Sequence, residues 1–593
     1  MSSEFFIELS LEGGATCVAP SVMGAAEFDP FPLESAEKVS TYEIDMGAPQ
    51  AFLNADSRTG VADNGKPSFT IDQAAGQIVR SEPGWSSALG VGATVTYAYR
   101  SNEPARMPSD AGGFTRFNSS QITQGDLAIQ GWGDAANITF VRIGGGSIGE
   151  GAYSDSAAIL FGNYSTGVAG ASAFAMFPGS MAPFSAAGDV WVNSTFSYNE
   201  SPTVGNYGGQ VLIHELGHAI GLAHPSEYDA GDNAGAKITY STSASYYEDS
   251  RQYTVMSYFN EFATGGNFGV IYSAAPMLDD IAAVQFEYGA NLSTRTGDTV
   301  YGFNSNADRP WFMASSNAVK LVFAVWDAGG NDTFDFSGYA SNQTIDLRQG
   351  FFSSVGGLVG NVAVAQGANI ENVKSGSGSD SITGNTLDNN LQAGPGSDSV
   401  SAGAGNDTVD GGSGQNYLRG DDGNDSLVGG GQFDDINGNV GNDTVSAGDG
   451  DDYAVGGKGN DLLSGDGGQD IVWGNLGNDT CDGGDGNDQV RGGQGDDSVA
   501  GGAGDDFVSG DRGNDTITGG TGADIFHDSQ DAGIDRVLDF SRVEGDRVQL
   551  DPATTFTLAQ IGADTIIDMG GGNQMILVGV QLSTLTPGWI FGS

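Results

Sequence analysis

The chain has 593 residues, of which 75 are acidic and 22 basic, and carries a formal net charge of −53. This charge argues against a nucleic-acid binder, whose affinity comes from cations that face phosphates, and it favours bound divalent cations, which prefer oxygen ligands. The hydrophobic content of 38% is too high for a wholly disordered acidic chain, and the 2 cysteines exclude a disulfide framework.

The N-terminal sequence predicts no secretory signal peptide. It lacks a basic region, and Glu4 and Glu8 interrupt its apolar residues. No stretch of the chain approaches the ~18 consecutive apolar residues that a membrane-spanning helix needs, so we expect no transmembrane segment.

A zinc-binding pattern, HExxHxxGxxH, occupies residues 214–224. The surrounding apolar residues predict a helix, on which His214 and His218 share one face at the spacing of two ligands of one Zn²⁺. Gly221 ends this helix, so that the chain turns and His224 returns as the third ligand. Three nitrogen ligands leave one position open, as in catalytic zinc sites, and Glu215 is placed to act as general base.

Residues 254–259, with the sequence TVMSYF, resemble the Met-turn of the metzincin proteases, in which a methionine packs under the zinc site. In the serralysin-like and astacin-like branches of that clan, a tyrosine two residues after the methionine is an additional, displaceable zinc ligand. The resemblance therefore implies that Tyr258 is a zinc ligand with a catalytic role.

Residues 376–526 fall into seventeen consecutive nine-residue frames of the form GGxGxDxUx, where U is apolar. An apolar column runs through them from Ile382 to Phe526, and we interpret Cys481, which lies in it, as a packing residue. The aspartates at the sixth position of fifteen frames are Asp380, Asp398, Asp407, Asp425, Asp434, Asp443, Asp452, Asp461, Asp470, Asp479, Asp488, Asp497, Asp506, Asp515 and Asp524.

Each frame combines a glycine-rich turn with a short strand whose apolar side chain points inward. Two frames, or eighteen residues, close one turn of a right-handed parallel β-roll. Glycine allows the turn to take a positive φ around an ion. The aspartate of one turn and the carbonyls of the next are hard oxygen ligands for Ca²⁺.

This array resembles the RTX calcium repeat. Extracellular calcium modules bind with dissociation constants of about 10⁻⁴–10⁻³ M, so we expect the array to fold only outside the cell. Resemblance to RTX proteins implies exit from a bacterium by the type I secretion machinery with an uncleaved C-terminal signal. The chain is therefore predicted to be secreted and extracellular.

The zinc motif and the repeats together resemble the serralysin-like secreted zinc proteases, over residues 65 to 580. The resemblance implies a multidomain fold, in which an α/β (α+β) metzincin protease domain is followed by an all-β parallel β-roll. It also implies that the substrate lies as an added strand along an edge of the protease sheet.

The same resemblance implies calcium sites outside the repeats. Matching motifs join two segments at the domain junction, the first contributing mainly main-chain carbonyls; the residues are Arg295, Gly297, Asp298, Thr299, Asp327, Gly329, Gly330 and Asp332. The ligands implied for another ion are Asn369, Glu371, Gly376, Gly378 and Asp380.

The predicted domains are a pro-segment or N-terminal extension (1–62), the protease domain (63–292), a junction (293–375), the RTX β-roll (376–527) and a C-terminal β cap with the secretion signal (528–593). Cys17 is either an incidental thiol or a thiolate that blocks the zinc and keeps the enzyme latent. The roll is longer than the family usually carries, which leaves a cell-surface or surface-layer partner open.

The predicted function is a secreted endopeptidase of protein substrates, with one catalytic Zn²⁺ and many structural Ca²⁺. The alternative is a calcium-dependent surface or adhesive protein with an inactive protease domain. An inactive domain is expected to lose the glutamate or a ligand. Here Glu215, Tyr258 and all three histidines are present, which favours the enzyme.

Overall fold

The computed structural model describes residues 51–80, 84–108, 111–167, 171–179, 187–228 and 238–592, and the backbone of a short strand at 26–28. The chain forms two compact units, one of residues 1–332 and 349–369 and the other of residues 333–348 and 370–593. Within the described ranges, no helix is both long and apolar enough to cross a membrane. Cys17 lies outside the described residues.

The α-helices of the described residues all belong to the first unit. Thr70 and Asn118 form capping boxes at the N-termini of two of them, and Asn206 accepts a hydrogen bond from the backbone at the start of the helix that carries the zinc motif. The helices are α1 (Ile71–Val79), α2 (Ser119–Ala135), α3 (Ser197–Glu200), α4 (Tyr207–Ala219), α5 (Tyr240–Ser243) and α6 (Leu278–Tyr288), with 3₁₀ turns at Glu150–Ala152, Glu261–Thr264, Pro310–Phe312 and Leu582–Thr584.

The strands up to residue 364 are β1 (Ala26–Phe28), β2 (Ala93–Tyr99), β3 (Ala111–Gly112), β4 (Ile138–Arg142), β5 (Ile159–Tyr164), β6 (Thr166–Gly167), β7 (Ala173–Met176), β8 (Val190–Asn193), β9 (Val300–Gly302), β10 (Phe323–Val325), β11 (Thr333–Asp335), β12 (Thr344–Asp346), β13 (Phe352–Ser353) and β14 (Val362–Val364). Six of them form a sheet in the order β1-β7-β8-β5-β2-β4. Strands β2, β4, β5 and β8 pair in parallel. At one edge of the sheet, β7 pairs antiparallel with β8, and β1 pairs antiparallel with β7. Helix α4 packs against α2 and β7, which places the zinc motif beside this edge.

The second unit is a parallel β-roll. Its further strands are β15 (Asn372–Lys374), β16 (Ser381–Asn385), β17 (Asn390–Gln392), β18 (Ser399–Gly403), β19 (Thr408–Asp410), β20 (Tyr417–Asp422), β21 (Ser426–Gly431), β22 (Asp435–Val440), β23 (Thr444–Asp449), β24 (Tyr453–Lys458), β25 (Leu462–Gly467), β26 (Ile471–Leu476), β27 (Thr480–Asp485), β28 (Gln489–Gln494), β29 (Ser498–Ala503), β30 (Phe507–Arg512), β31 (Thr516–Thr521), β32 (Ile525–Asp528), β33 (Ile534–Val537), β34 (Arg547–Leu550), β35 (Thr557–Ile561), β36 (Asp564–Gly570), β37 (Asn573–Leu577) and β38 (Ile590–Phe591).

Strands on alternate half-turns form two sheets, one containing the odd-numbered strands from β15 to β33 and the other the even-numbered strands from β16 to β34. From β16 to β30 each strand pairs in parallel with the strand 18 residues later, as Leu463 does with Cys481. The predicted roll and its 18-residue turn are therefore confirmed. The apolar column is buried between the sheets, and Cys481 is 1% exposed, which confirms its packing role. After β33, the antiparallel strands β35–β37 end the odd-numbered sheet.

Candidate metal centres

The side chains of His214, His218 and His224 meet at one buried point in the first unit. Their ligand nitrogens all lie within 4.8 Å of one another, and the Nε2 atoms of His214 and His218 are 3.1 Å apart. The first two histidines are one turn apart on α4. The third returns because Gly221, with a φ of 104°, reverses the chain after the helix.

Each imidazole is oriented by a backbone carbonyl. The Nδ1 contacts are His214 to Val255 O (2.7 Å), His218 to Leu222 O (2.6 Å) and His224 to Tyr228 O (2.9 Å). Because a carbonyl only accepts, each Nδ1 carries the proton and each Nε2 keeps its lone pair. Burial lowers the pKa of all three rings, to about 4 for His214, so that they are neutral. This donor set fits Zn²⁺ bound through Nε2.

Glu215 and Tyr258 lie beside this cluster. Glu215 follows His214 on α4 and is fully buried. The ring centroid of Tyr258 is 4.2 Å from that of His224 and 6.0 Å from that of His214. The structure therefore brings together all five residues that the sequence predicted for the zinc site.

Met256 packs under α4. It is fully buried, and its Sδ atom lies so close to Gly217 that a Cβ on this glycine would be 2.4 Å away. Gly217 lies between the two helical histidines. The helix can therefore rest on the Met-turn only because residue 217 has no side chain.

We expect Gly217→Ala to lower the stability of the protein by about 1–3 kcal/mol, because the added methyl overpacks a filled core. Calorimetric unfolding measures the effect. The matched control is Gly76→Ala in α1, where a Cβ meets nothing within 4 Å. This control is expected to leave stability unchanged or raise it by about 0.5–1 kcal/mol. Equal destabilisation by both variants would contradict the overpacking argument.

A buried carboxylate that the sequence did not predict links the loop after His224 to the Met-turn. Asp249 accepts hydrogen bonds from Ser226 Oγ (2.6 Å), Tyr228 Oη (2.8 Å) and Ser257 Oγ (2.7 Å). Burial raises the pKa of Asp249 to about 6. Because the Tyr228 carbonyl orients His224 and Ser257 precedes Tyr258, Asp249 is placed to position both of these predicted ligands.

Asp280, at the start of α6, holds the other side of the Met-turn. Its carboxylate accepts from Thr254 Oγ1 (2.5 Å), Val255 N (2.7 Å) and Met277 N (2.8 Å), and burial raises its pKa to about 7. The neighbouring Asp279 forms a buried bidentate ion pair with Arg58, at 2.7 and 2.8 Å. Asp279 and Asp280 lie in a segment that resembles the family, whereas no local pattern marks Asp249.

The first predicted calcium set outside the repeats comes together within the first unit. Asp332 Oδ1 accepts from Thr299 N (2.7 Å), and Asp298 Oδ1 accepts from Asn331 N (3.0 Å). A Cβ on Gly330 would lie 2.7 Å from the carbonyl oxygen of Gly297, so these two glycines are in close contact.

The remaining predicted ligands, which include Asp327, Gly329 and Arg295, lie next to these residues. Asp327 Oδ1 accepts from Gly329 N at 2.9 Å. The guanidinium of Arg295 pairs with Asp134 at 2.9 Å, so its side chain is engaged elsewhere. This agrees with a role for the Arg295 carbonyl rather than its side chain.

The second predicted set is divided between the two units. Asn369 belongs to the first, where its side chain accepts from Gln349 Nε2 at 2.8 Å. Glu371 and Asp380 belong to the second, together with Gly376 and Gly378. There Asp380 Oδ2 accepts from the backbone N–H of Gly376 at 3.2 Å.

The aspartates of the repeats form two regular ladders. The Oδ1 atom of each accepts the backbone N–H of the residue one turn earlier, as in Asp443 N to Asp461 Oδ1 (2.9 Å) and Asp461 N to Asp479 Oδ1 (2.9 Å). Asp535 and Asp546 continue the ladders beyond the repeats, after steps of 20 and 22 residues. A search for an 18-residue period misses these two because inserted residues shift them.

The second oxygen, Oδ2, of each of these carboxylates is available to bind an ion. From Asp398 to Asp524, the Oδ2 atom of each ladder aspartate is buried and accepts no hydrogen bond from any described residue. Burial raises the pKa of these groups, to about 7 for Asp461 and Asp470. Regularly spaced, desolvated carboxylate oxygens of this kind fit Ca²⁺.

Comparison with known proteins bears on both centres. The family model described as Peptidase M10 serralysin C terminal matches residues 290–429. The RTX calcium-binding nonapeptide repeat model matches residues 419–454, 446–481, 455–490, 482–517 and 491–526. Metalloprotease AprA of Pseudomonas entomophila (strain L48) is 46% identical over 354 residues, which are 58% of this chain and 70% of the relative. The chain belongs to the serralysin family.

Other serralysin relatives agree. Metallopeptidase AprA of Pseudomonas marginalis is 46% identical over 333 residues, which are 55% of this chain and 67% of the relative. Serralysin C of Dickeya chrysanthemi is 46% identical over 322 residues, which are 54% of this chain and 65% of the relative. The resemblance predicted from the sequence is therefore confirmed. The chain is a metalloendopeptidase with RTX calcium-binding repeats, and zinc and calcium are its metals.

Proposed function

We propose that this serralysin is a secreted enzyme that hydrolyses peptide bonds in proteins, with one zinc ion held by Nε2 of His214, His218 and His224. The observation that carries the proposal is the fixed tautomer of all three rings, whose Nδ1 atoms donate to carbonyls. When bound, the zinc ion supplies a Lewis acid that lowers the pKa of water and polarises a carbonyl.

The protein's own residues then perform the proton transfers. Glu215 accepts the proton of the attacking water and passes it to the leaving amine. Its burial beside His214 keeps this carboxylate close to the reacting atoms. Tyr258 would contribute a phenolic oxygen as an additional, displaceable ligand, and its edge-to-face contact with His224 supports this assignment.

We propose that the substrate binds as an added strand at the β7 edge of the sheet. Phe177 directly follows β7, and its ring centroid is 5.6 Å from that of His218, so this edge adjoins the zinc site. The backbone of β1, residues Ala26–Phe28, pairs antiparallel with β7 at this edge. This pairing supports a pro-segment that must leave before substrate binds. Because Leu53 and Arg58 contact Tyr253 and Asp279 inside the first unit, we propose that this segment ends before Leu53 rather than at residue 62.

We further assign structural calcium to the two aspartate ladders, one of which begins at Asp380, and to the set around Asp332, on the basis of their buried oxygen donors. Calcium at these sites would fold the roll after type I secretion, where the extracellular concentration is high enough to load them.

Casein hydrolysis by the full chain in calcium, with and without a zinc-selective chelator, tests the proposal. We expect activity that the chelator removes and added zinc restores. Activity that persists without zinc would contradict the metal assignment. A calcium-folded chain that stays inert, even after removal of residues 1–50, would instead favour the surface or adhesive protein.

We expect Asp249→Ala to weaken zinc binding by about 10–100-fold, because outer partners of metal ligands contribute about this much to affinity. Competition with a chromogenic zinc chelator measures the change. The matched control is Asp72→Ala at an exposed position in the first turn of α1, which is expected to leave zinc affinity unchanged. If Asp249→Ala kept its affinity for zinc, the positioning role would be wrong.

A further inference from the structure

The two outer faces of the roll differ in composition. Between β19 and β31, the first outward position of the odd-numbered strands is almost entirely threonine or serine; the residues are Thr408, Ser426, Thr444, Leu462, Thr480, Ser498 and Thr516. The matching position of the even-numbered strands from β20 to β30 is mostly aromatic or aliphatic, and the residues are Tyr417, Asp435, Tyr453, Ile471, Gln489 and Phe507.

Charge is also distributed unequally between the faces. Residues 376–526 contain 28 aspartates and four basic residues. All four basic residues lie on the even-numbered strands β20–β30, and they are Arg419, Lys458, Arg491 and Arg512. The same six strands carry four aspartates, Asp421, Asp422, Asp435 and Asp511, so this face is neutral overall on a strongly acidic roll.

Aromatic and cationic groups on this face contact one another and remain accessible. The rings of Tyr453 and Trp473 are 5.3 Å apart, and the guanidinium of Arg491 lies over Phe507 at 5.3 Å. Tyr417 is 47% and Leu476 42% exposed. Tyrosine, tryptophan, phenylalanine and arginine are the residues enriched at the energetic centres of protein–protein interfaces. An exposed apolar group of this kind indicates a binding surface.

We propose that the β20–β30 face is the interface with a second copy of this chain. The two copies are related by a two-fold axis that runs parallel to the strands, between β24 and β26. Such an interface must be complementary to itself, since the same patch contributes both sides. The axis sets β20 against β30, β22 against β28 and β24 against β26 of the second copy.

The apolar residues match under this operation. At the ends of the patch, Tyr417 faces Phe507 of the second copy, because both occupy the first position of their strands. At the centre, Tyr453 faces Ile471 of the second copy at the first position, beside the partly exposed Trp473. Aromatic and aliphatic side chains therefore meet at the middle and at both ends.

The charges match as well. Asp422 and Arg512 occupy the sixth positions of β20 and β30, so they face each other between copies. Asp435 and Arg491 are paired within each copy, with Arg419 at 2.9 Å and Asp511 at 3.4 Å, so they do not supply a contact between copies. The opposite signs at related positions give complementarity that a one-signed surface lacks.

The size of the face sets the expected strength. Six strands ~4.8 Å apart, each with six residues rising ~3.3 Å, cover about 600 Å² per copy. The total of about 1,200 Å² is at the lower limit of specific interfaces. The charge of −53 on each chain also opposes association unless calcium is bound. We therefore expect a reversible dimer of the calcium-loaded chain.

Sedimentation equilibrium of the full chain in calcium tests this proposal. We expect a monomer–dimer equilibrium between about 1 and 100 μM. Trp473→Asp is expected to be monomeric throughout. Leu462→Asp, which changes a 51% exposed residue on the opposite face, is expected to dimerise like the wild type. A monomeric wild type at about 100 μM, or equal weakening by both variants, would overturn the proposal.

Charge reversal separates the interface from folding. Asp422→Arg and Arg512→Asp are each expected to weaken the dimer several-fold, and the double variant is expected to recover most of the loss. Within one chain these residues are five strands, or ~24 Å, apart, so recovery reports contact between copies. Circular dichroism in calcium verifies that each variant folds. Failure of the folded double variant to recover would refute this arrangement.

Discussion

Replacing Glu215 by glutamine is expected to lower kcat by about 10²–10⁴-fold, the range that general acid–base catalysis contributes. The amide has nearly the same shape as the carboxylate but cannot take a proton from water at neutral pH. Because Glu215 is not among the residues assigned to hold zinc, the bound zinc is expected to stay unchanged. Peptide hydrolysis and metal analysis of the same sample measure the two quantities.

Glu200→Gln is the control for this variant. Glu200 is an exposed glutamate at the end of α3, and the same chemical change there is expected to leave kcat within about twofold. A Glu215→Gln enzyme with nearly normal kcat would remove Glu215 from the mechanism. Loss of zinc together with activity would show a structural rather than a chemical effect.

Removal of calcium is expected to unfold the β-roll. The roll buries rows of carboxylates whose Oδ2 atoms accept no hydrogen bond from the described residues. Without a cation, desolvation and mutual repulsion oppose this arrangement when the groups are ionised. Adding a calcium chelator at neutral pH should remove the part of the β-strand signal in circular dichroism that comes from the roll, and returning calcium should restore it.

A single substitution within the ladder provides a graded test. Asp479→Asn keeps an oxygen for the backbone N–H of Asp461 but removes the negative charge, so the calcium concentration at the folding midpoint should rise several-fold. Asp482→Asn, at an exposed position three residues later, makes the same change outside the ladder and should leave the midpoint in place. A roll that stays folded without calcium would contradict the assignment of the ladders.

Local periodicity made the ladders and the zinc helix predictable. An 18-residue repeat places successive aspartates on the same edge of successive turns, so the fold follows from the spacing alone. In the same way, histidines four residues apart share one helix face in any environment. The ladder residues Asp535 and Asp546 were missed because insertions change the spacing while the pairing continues.

The sequence by itself determined the β-roll, its inward apolar column and the three zinc-binding histidines, because each depends on neighbours within one or two turns, whereas Tyr258 followed from the family resemblance. Only the tertiary structure decided how that set is held. Asp249 contacts Ser226 and Ser257, and Arg58 pairs with Asp279 across more than two hundred residues. Such contacts leave no local pattern, since they depend on how distant loops pack together once hydrophobic burial has fixed the elements that carry them.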